Sequence, residues 1–285
     1  MRDGISVKEV DLTPDMASRW LNQCNNHNRP LYETTVEAYA LDMKRGYWAL
    51  NHQPIAFDEE GNLIDGQHRL AAIVRSGKTI RMLVAKNVPR EFGAIGNKHF
   101  VQETIDGGKP RSIGDRINLS YGITNGNLKS AIVSVLVALC TGRHCRLSPA
   151  VTYEIIKTYQ SEIEAVIESR GYGKGLLFAP VLGAFCFAAK VFKEETLQFE
   201  SGYFSGENLV STSPIYVFRN YMLNRQAWKG NGSYREICQR AALTSLMYYV
   251  QHLPLRRIIH SNQGVDFFSN KQKRVVSEIS ELFRL

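Results

Sequence analysis

Residues 61–77 hold the strongest candidate for chemistry: a short apolar strand runs through Asp65-Gly66-Gln67-His68-Arg69 into a helix-forming stretch. The backbone N–H groups and the positive end of the dipole at such a helix start both favour an anion. Gly66 would let the backbone approach a ligand, and Arg69 can bind a phosphate through two nitrogens. The spacing therefore predicts a phosphate site. The alternative is a plain turn in which Asp65 caps the helix.

Phosphoryl transfer needs donors for the phosphate oxygens, usually a divalent metal, and a base that orients the attacking group. The Gly66 N–H, His68 and Arg69 are the expected phosphate donors in this chain. Asp65 would either bind Mg²⁺ or act as the base. Gln67 would bridge a phosphate or orient a water molecule. The expected cofactors are therefore Mg²⁺ and ATP, or another nucleoside triphosphate or diphosphate.

A few polar residues elsewhere in the first part of the chain are secondary candidates for the same site. Arg29 would close the site from the opposite side, unless it forms a surface salt bridge. Glu33 and Glu37 share a helix face and can offer a carboxylate, although solvent exposure is the simpler interpretation. His27 and His52 are either polar groups near the site or ordinary loop residues.

The sequence of residues 65–70 resembles the phosphate-binding motif of the ParB/sulfiredoxin-like superfamily. Further segments resemble the phage-type branch of that superfamily in type and order. These segments are Asn28-Arg29-Pro30, Met43-Lys44-Arg45-Gly46-Tyr47-Trp48, Pro54-Ile55-Ala56-Phe57-Asp58 and Ile105-Asp106-Gly107-Gly108-Lys109-Pro110-Arg111-Ser112. The resemblance covers about residues 8–120 and implies a small α/β domain that binds a nucleotide phosphate.

The superfamily includes partition CTPases, sulfiredoxins and ADP-dependent serine kinases, and this chain departs from two of them. Sulfiredoxins carry a nucleophilic cysteine where this chain has Gln67, so sulfinic acid reduction is not expected. Partition CTPases carry a Glu-Arg-Arg run in place of Gln67-His68-Arg69, so CTP-dependent DNA segregation is not expected either. The resemblance instead implies DNA modification or processing in a bacteriophage or mobile element.

Composition predicts a globular cytoplasmic protein, with 44% hydrophobic and 22% charged residues among 285. No apolar run approaches the roughly 20 residues of a membrane span, and no membrane association is expected. The five cysteines are scattered and form no Cys-x-x-Cys pair, which favours reduced thiols over a zinc site. Self-association stays open.

Charge is unevenly distributed along the chain. Residues 1–110 hold 14 Lys and Arg against 14 Asp and Glu, whereas residues 111–285 hold 21 against 13. A basic region beside a phosphate site suggests a nucleic acid partner, DNA rather than RNA, although it can also be an uninvolved basic helical domain. The expected nucleic-acid contacts are Lys109, Arg111, Arg256, Arg257, Lys271, Lys273 and Arg274. The aromatic and basic run at 216–221 would either stack bases or form core packing.

Sequence patterns predict an α/β arrangement up to residue 110. Thr13 would cap a first helix, and Thr34 or Thr35 would open a second that ends at Gly46. Residues 55–57 and 62–64 would form a hairpin, and 79–85 a strand. Beyond residue 111, helices are predicted at 112–121, 128–141, 148–169, 178–194, 214–226, 233–252 and 272–284. The apolar run 176–189 among them is expected to be a buried core helix.

The resulting expectation is an α+β chain, with a ParB/sulfiredoxin-like domain at 1–110 and a basic helical domain at 111–285. Two classes of function follow. One is an enzyme, a kinase-like phosphotransferase or an NTPase that acts on DNA or nucleotides, with a ParB-like nuclease as a variant. The other is a non-catalytic DNA-binding regulator gated by a nucleotide.

Overall fold

The computed structural model describes residues 4–25, 28, 30–92, 99–100, 111–169, 176–224, 234–258 and 261–283. The fold is α+β, with a small mixed sheet near the N-terminus and many helices. The described residues divide into two compact units. The first unit holds the described residues up to Arg111 together with Arg146–Ala150. The second holds Ser112–Cys145 and the described residues from Val151 onward.

The first unit is built on a four-stranded sheet. Its strands are β1 (Ser6–Leu12), β2 (Ile55–Asp58), β3 (Leu63–Asp65) and β4 (Ile80–Val88), in the order β1-β4-β2-β3. β2 runs parallel to β4, and the other two pairs are antiparallel. The predicted hairpin and the predicted strand at 79–85 are thereby confirmed, whereas β1 had not been predicted. A separate two-stranded ribbon pairs β5 (Glu91–Phe92) with β6 (His99–Phe100).

Three helices accompany the sheet: α1 (Pro14–Cys24), α2 (Glu33–Lys44) and α3 (Gln67–Ser76). Thr13 caps α1 as predicted, because its hydroxyl accepts the Met16 N–H at 3.2 Å. The N-cap of α2 is Tyr32, so the prediction of a start at Thr34 or Thr35 was late by two or three residues. The helices bury apolar side chains against the sheet. That core includes Leu12, Ala17, Val36, Ala40, Met43, Ile55, Phe57, Leu70, Ile73 and Val84.

Every described element of the second unit is a helix. The helices are α4 (Ile113–Tyr121), α5 (Gly126–Thr141), α6 (Pro149–Thr158), α7 (Gln160–Ser169), α8 (Ala179–Ala189), α9 (Lys193–Ser205), α10 (Pro214–Leu223), α11 (Tyr234–Val250), α12 (Gln263–Lys271) and α13 (Lys273–Leu282). The single helix predicted at 148–169 was wrong, because the chain breaks at Tyr159, whose ring is fully buried. Helices α9 and α12 had not been predicted.

Helix α8 lies in the middle of the second unit. Ten of its eleven residues are buried, which confirms the predicted core helix. Its Phe185 ring packs edge-on against Phe199, Tyr203 and Phe218 from α9 and α10. Aromatic packing of this kind explains why the helices converge on α8.

Within the described ranges, no single helix is long and apolar enough to cross a membrane. Helices α4 and α5 satisfy a test of length and composition only when taken together, across a bend of 114°.

Candidate functional site

The candidate phosphate turn lies where β3 ends and α3 begins. Gly66 joins them in the left-handed region, at φ 103° and ψ 7°. A Cβ atom at this position would lie 2.5 Å from Ile55 Cδ1 and 3.3 Å from Ile55 Cα, a separation that real side chains do not tolerate. The close approach that requires glycine is therefore made to strand β2. The prediction that Gly66 brings the backbone close to a ligand is replaced by this contact within the sheet.

Arg69 is buried beneath the turn, with 8% of the residue exposed. One terminal nitrogen donates to the Gln53 carbonyl, and the other donates to Asp65 Oδ2 at 2.9 Å. Both terminal nitrogens thus already have acceptors within the protein. This differs from the predicted two-nitrogen grip on a phosphate, and it makes Arg69 the residue that positions Asp65.

Asp65 stands at the rim of the turn with its side chain 50% exposed. No side chain caps α3, whose first internal hydrogen bond runs from the Leu70 N–H to the Gly66 carbonyl. The alternative in which Asp65 caps the helix was therefore wrong. Its Oδ2 is held by Arg69, while its Oδ1 accepts no hydrogen bond within the described residues. A fixed, half-exposed carboxylate thus lies beside the positive end of a helix.

His68 faces the start of α2. Its Nε2 accepts the backbone N–H of Tyr32 at 3.0 Å, and its ring lies parallel to the Tyr32 ring at 5.8 Å. An imidazole nitrogen that accepts a hydrogen bond carries no proton, so the neutral ring bears its hydrogen on Nδ1. In this neutral form the donor of the ring is Nδ1.

Gln67 is buried, and a chain of side-chain amides fixes its orientation. Asn28 donates to the Leu63 carbonyl at 2.6 Å and to Asn25 Oδ1 at 2.7 Å. Asn25 in turn donates to Gln67 Oε1 at 3.4 Å. The first residue of α3 is thereby connected to the end of α1 and to the backbone of β3.

The other predicted site residues lie outside the described residues, in ion pairs or at the surface. Arg29, His27 and Lys109 lie outside the described residues. Glu33 and Glu37 both face Arg75, at 2.7 Å and 4.0 Å, so they form surface ion pairs. His52 and Arg111 are exposed.

The predicted nucleic-acid contacts of the second unit are exposed. Arg256 and Arg257 lie in a bend after α11, and Lys273 lies at the start of α13. Lys271 sits over the rings of Phe192 and Phe267, at 5.5 Å and 5.2 Å. Arg274 pairs with Glu278 at 2.8 Å. In the 216–221 run, Phe218 is fully buried and Tyr216 is exposed, so part of that run forms core packing.

The side chains at the turn can hold Mg²⁺ only if substrate phosphates provide some of its ligands. Among the described residues no three His, Cys, Asp or Glu side chains converge on a common point. Mg²⁺ is commonly held by one or two carboxylates together with substrate phosphates and water. Asp65 Oδ1 is the group at this turn that can provide such a carboxylate.

A cleft of about 380 Å³ opens beside the β2–β3 hairpin. It is lined by Trp20, Cys24, Phe57, Asp58, Glu59, Glu60, Gly61, Lys86 and Asn87. Asp58 is buried and accepts the backbone N–H groups of Glu60 and Asn62, so it closes the hairpin. Cys24, on the cleft wall, precedes the Asn25 that holds Gln67.

Helix α2 is anchored at its start by the Tyr32 contact with His68. A second anchoring point is the short segment Arg146–Ala150, which belongs to the first unit. Arg146 donates to Thr35 Oγ1 at 2.6 Å, and the Ser148 hydroxyl donates to Asp42 Oδ1 at 2.5 Å. Burial raises the pKa of Asp42 to about 6, although the Ser148 hydrogen bond and the charge of Arg45 oppose the rise. Helix α2 therefore connects the His68 contact with this segment.

Sequence reasoning missed Gln53, Asn25, Asn28 and Tyr32, the residues that hold the turn in place. Their partners lie 16 to 42 positions away along the chain, and no local pattern signals such pairs. Comparison of the chain with protein-family models, with curated proteins and with solved structures gives no match.

Proposed function

We propose that the chain is a nucleotide-dependent phosphotransferase or NTPase that acts on DNA or on nucleotides. In this proposal the β3–α3 turn binds the phosphates of ATP, or of another nucleoside triphosphate or diphosphate, together with Mg²⁺. The first unit would then be a ParB/sulfiredoxin-like domain, and the basic helical unit would hold the nucleic acid. The proposal places the protein in the cytoplasm.

One observation carries the enzymatic proposal: the half-exposed Asp65 carboxylate, fixed by buried Arg69 beside the uncapped start of α3. A carboxylate repels phosphate, so a turn that only binds phosphate is better without it. A bridging Mg²⁺ or a base, by contrast, requires a carboxylate at this place. The arrangement therefore supports chemistry over simple anion binding.

The roles follow from the contacts. The Gly66 N–H and the His68 Nδ1–H would donate to phosphate oxygens, and Asp65 Oδ1 would hold Mg²⁺ or accept a proton. Bound Mg²⁺ would neutralise charge that develops on the transferred phosphoryl group. Gln67, oriented by Asn25, would position the attacking group. Arg69 would act through Asp65, as a positioning residue.

A second function, a nucleotide-gated DNA-binding regulator, is favoured by the two anchoring points of α2. A ligand that moves His68 would disturb the Tyr32 N–H at the start of this helix. The same helix holds Arg146 and Ser148. The chain on either side of that segment belongs to the second unit, so α2 can pass a nucleotide signal to it.

The test is to incubate the purified protein with ATP, ADP, CTP or GTP and Mg²⁺, with and without DNA. Thermal stability and nucleotide products are followed in parallel. We expect one nucleotide to raise the melting temperature and to be consumed. His68→Ala should lose both effects, whereas Asp11→Asn, at an exposed ion pair with Arg81, should keep both.

The outcomes separate the two functions. Stabilisation without products, and nucleotide-dependent binding to DNA, would establish the regulator and reject the enzyme. Cleaved DNA without nucleotide consumption would indicate the nuclease variant. Absence of any thermal shift with all four nucleotides would reject both nucleotide-dependent functions and leave the turn as a structural element.

A further inference from the structure

Two tyrosines of the second unit form a stack at its surface. The rings of Tyr121, the last residue of α4, and Tyr153, on α6, are 4.0 Å apart and inclined by only 6°. The Lys157 ammonium lies over the Tyr153 ring, 5.0 Å from its centroid. The Tyr121 ring and the ammonium thus both lie against the Tyr153 ring, and Tyr121 is the exposed aromatic member of the group.

The stack differs from the aromatic cluster around Phe185 in its exposure. Tyr121 is 39% exposed. The packing of Phe185 with Phe199 and Phe218, by contrast, is fully buried and mostly edge-on. Edge-on and offset-parallel pairs are both ordinary in protein cores, so exposure is the distinguishing feature of this stack. A parallel pair that ends in an exposed ring has the geometry of an interrupted base stack.

We infer that Tyr121 is a stacking platform for an unpaired base of a single-stranded nucleic acid. The outer face of its ring would receive the base, and Tyr153 and Lys157 would support it from behind. Bases in a duplex are already stacked, so this mode selects single strands. The inference concerns binding alone and does not depend on chemistry at the β3–α3 turn.

Charge favours a polyanion over a protein partner. Residues 111–285 carry eight excess positive charges, and Arg116 lies exposed on the same short helix as Tyr121. Asp115, the acidic residue of that helix, is engaged in capping: it accepts the Ser112 N–H and an amide of Asn127. Phosphate groups that follow a stacked base would meet Lys157 at the stack and a region whose summed charge is positive.

The experiment measures fluorescence anisotropy of a labelled oligothymidylate and of the matching duplex, titrated with the full chain without nucleotide. Tyr121→Leu removes the aromatic face, whereas Tyr121→Phe keeps it. Tyr47→Leu is the matched control, because Tyr47 is 37% exposed, belongs to the first unit and lies outside the stack. The melting temperature of each variant is recorded, so that misfolding is recognised.

We expect the wild type to prefer the single strand and Tyr121→Leu to weaken its binding about tenfold, the size of one lost base–aromatic stack. Tyr121→Phe and Tyr47→Leu should bind like the wild type. Equal affinity of Tyr121→Leu and the wild type would overturn the inference, as would a preference for duplex. Binding of an aromatic-rich peptide in place of either nucleic acid would assign the platform to a protein partner and overturn it as well.

Discussion

Two carboxyl groups, one in each unit, have opposite surroundings. Asp65 in the first unit is half-exposed and ion-paired with Arg69 at 2.9 Å. Glu200 in the second unit is fully buried, and among the described residues its carboxyl accepts only the Ser169 hydroxyl, at 2.7 Å. Burial raises the pKa of Glu200 to about 8, although the Ser169 hydrogen bond opposes the rise. One group is thus held as an accessible charge, and the other keeps its proton at neutral pH.

The contrast extends to the surrounding polar groups. Near the turn of the first unit, the buried side chains Gln67, Arg69 and Asp58 each have a protein partner. In the second unit, four buried atoms have none among the described residues: Glu200 Oε1, Gln239 Nε2, Thr244 Oγ1 and Ser245 Oγ. Satisfied polar networks fix geometry, whereas unsatisfied buried groups cost stability. The first unit is therefore the better place for chemistry that depends on position.

The largest loss of stability is expected from Gly66→Ala, which acts on the turn itself. The added methyl group would clash with Ile55, and alanine would have to adopt the left-handed φ that glycine has here. We expect a cost of about 2–4 kcal/mol in the free energy of unfolding. Urea denaturation measures the change. Gly77, at the other end of α3, also has a left-handed φ, but an added Cβ there would meet no atom within 4 Å. Gly77→Ala should therefore cost only about 1 kcal/mol. Equal losses in the two variants would refute the close approach to β2.

Arg69→Met should come next, because it leaves the buried Gln53 carbonyl without its donor and Asp65 without its partner. We expect a loss of about 2–3 kcal/mol in the free energy of unfolding, measured in the same way. Arg81→Met removes an exposed ion pair with Asp11 and should have no measurable effect. An Arg69 variant as stable as the Arg81 variant would show that the buried guanidinium does not hold the turn.

Glu200→Gln tests the carboxyl group of the second unit through pH. The folded protein keeps the Glu200 proton up to pH about 8, whereas the unfolded chain loses it near 4.5. The folded state therefore binds more protons in this window, and its stability should fall as pH rises, by up to roughly 1.4 kcal/mol per pH unit. Glu200→Gln should flatten the profile, whereas Glu278→Gln, at an exposed pair, should leave it unchanged. Identical slopes in the wild type and Glu200→Gln would contradict the raised pKa of Glu200.

Local signals predicted much of the fold. Thr13 and Pro14 marked the start of α1, and Gly77 marked the end of α3. Strand β1 was missed because most of its residues are polar or exposed, so it shows no alternation of buried and exposed positions. The break at Tyr159 was missed because the ring is held by a distant partner: its hydroxyl donates to Gln272, 113 positions away.

The candidate site was predictable in its location but not in its internal bonding. The strand, the glycine and the helix start follow from residues 61–77 alone. The direction of the Arg69 side chain does not, because it depends on Gln53 and on the path of the chain before β2. The same limit applies to His68, whose tautomer is set by the Tyr32 N–H.

Asp65→Asn should have the smallest effect on stability and the most direct bearing on the proposed function. Its measurement is the melting temperature and the rate of phosphoryl transfer from the preferred nucleotide, compared with those of the wild type. We expect a melting temperature within about 3 °C, because an amide oxygen still accepts from Arg69, together with nearly intact nucleotide binding and a loss of turnover. Undiminished turnover in Asp65→Asn would contradict the claim that this carboxylate performs the chemistry.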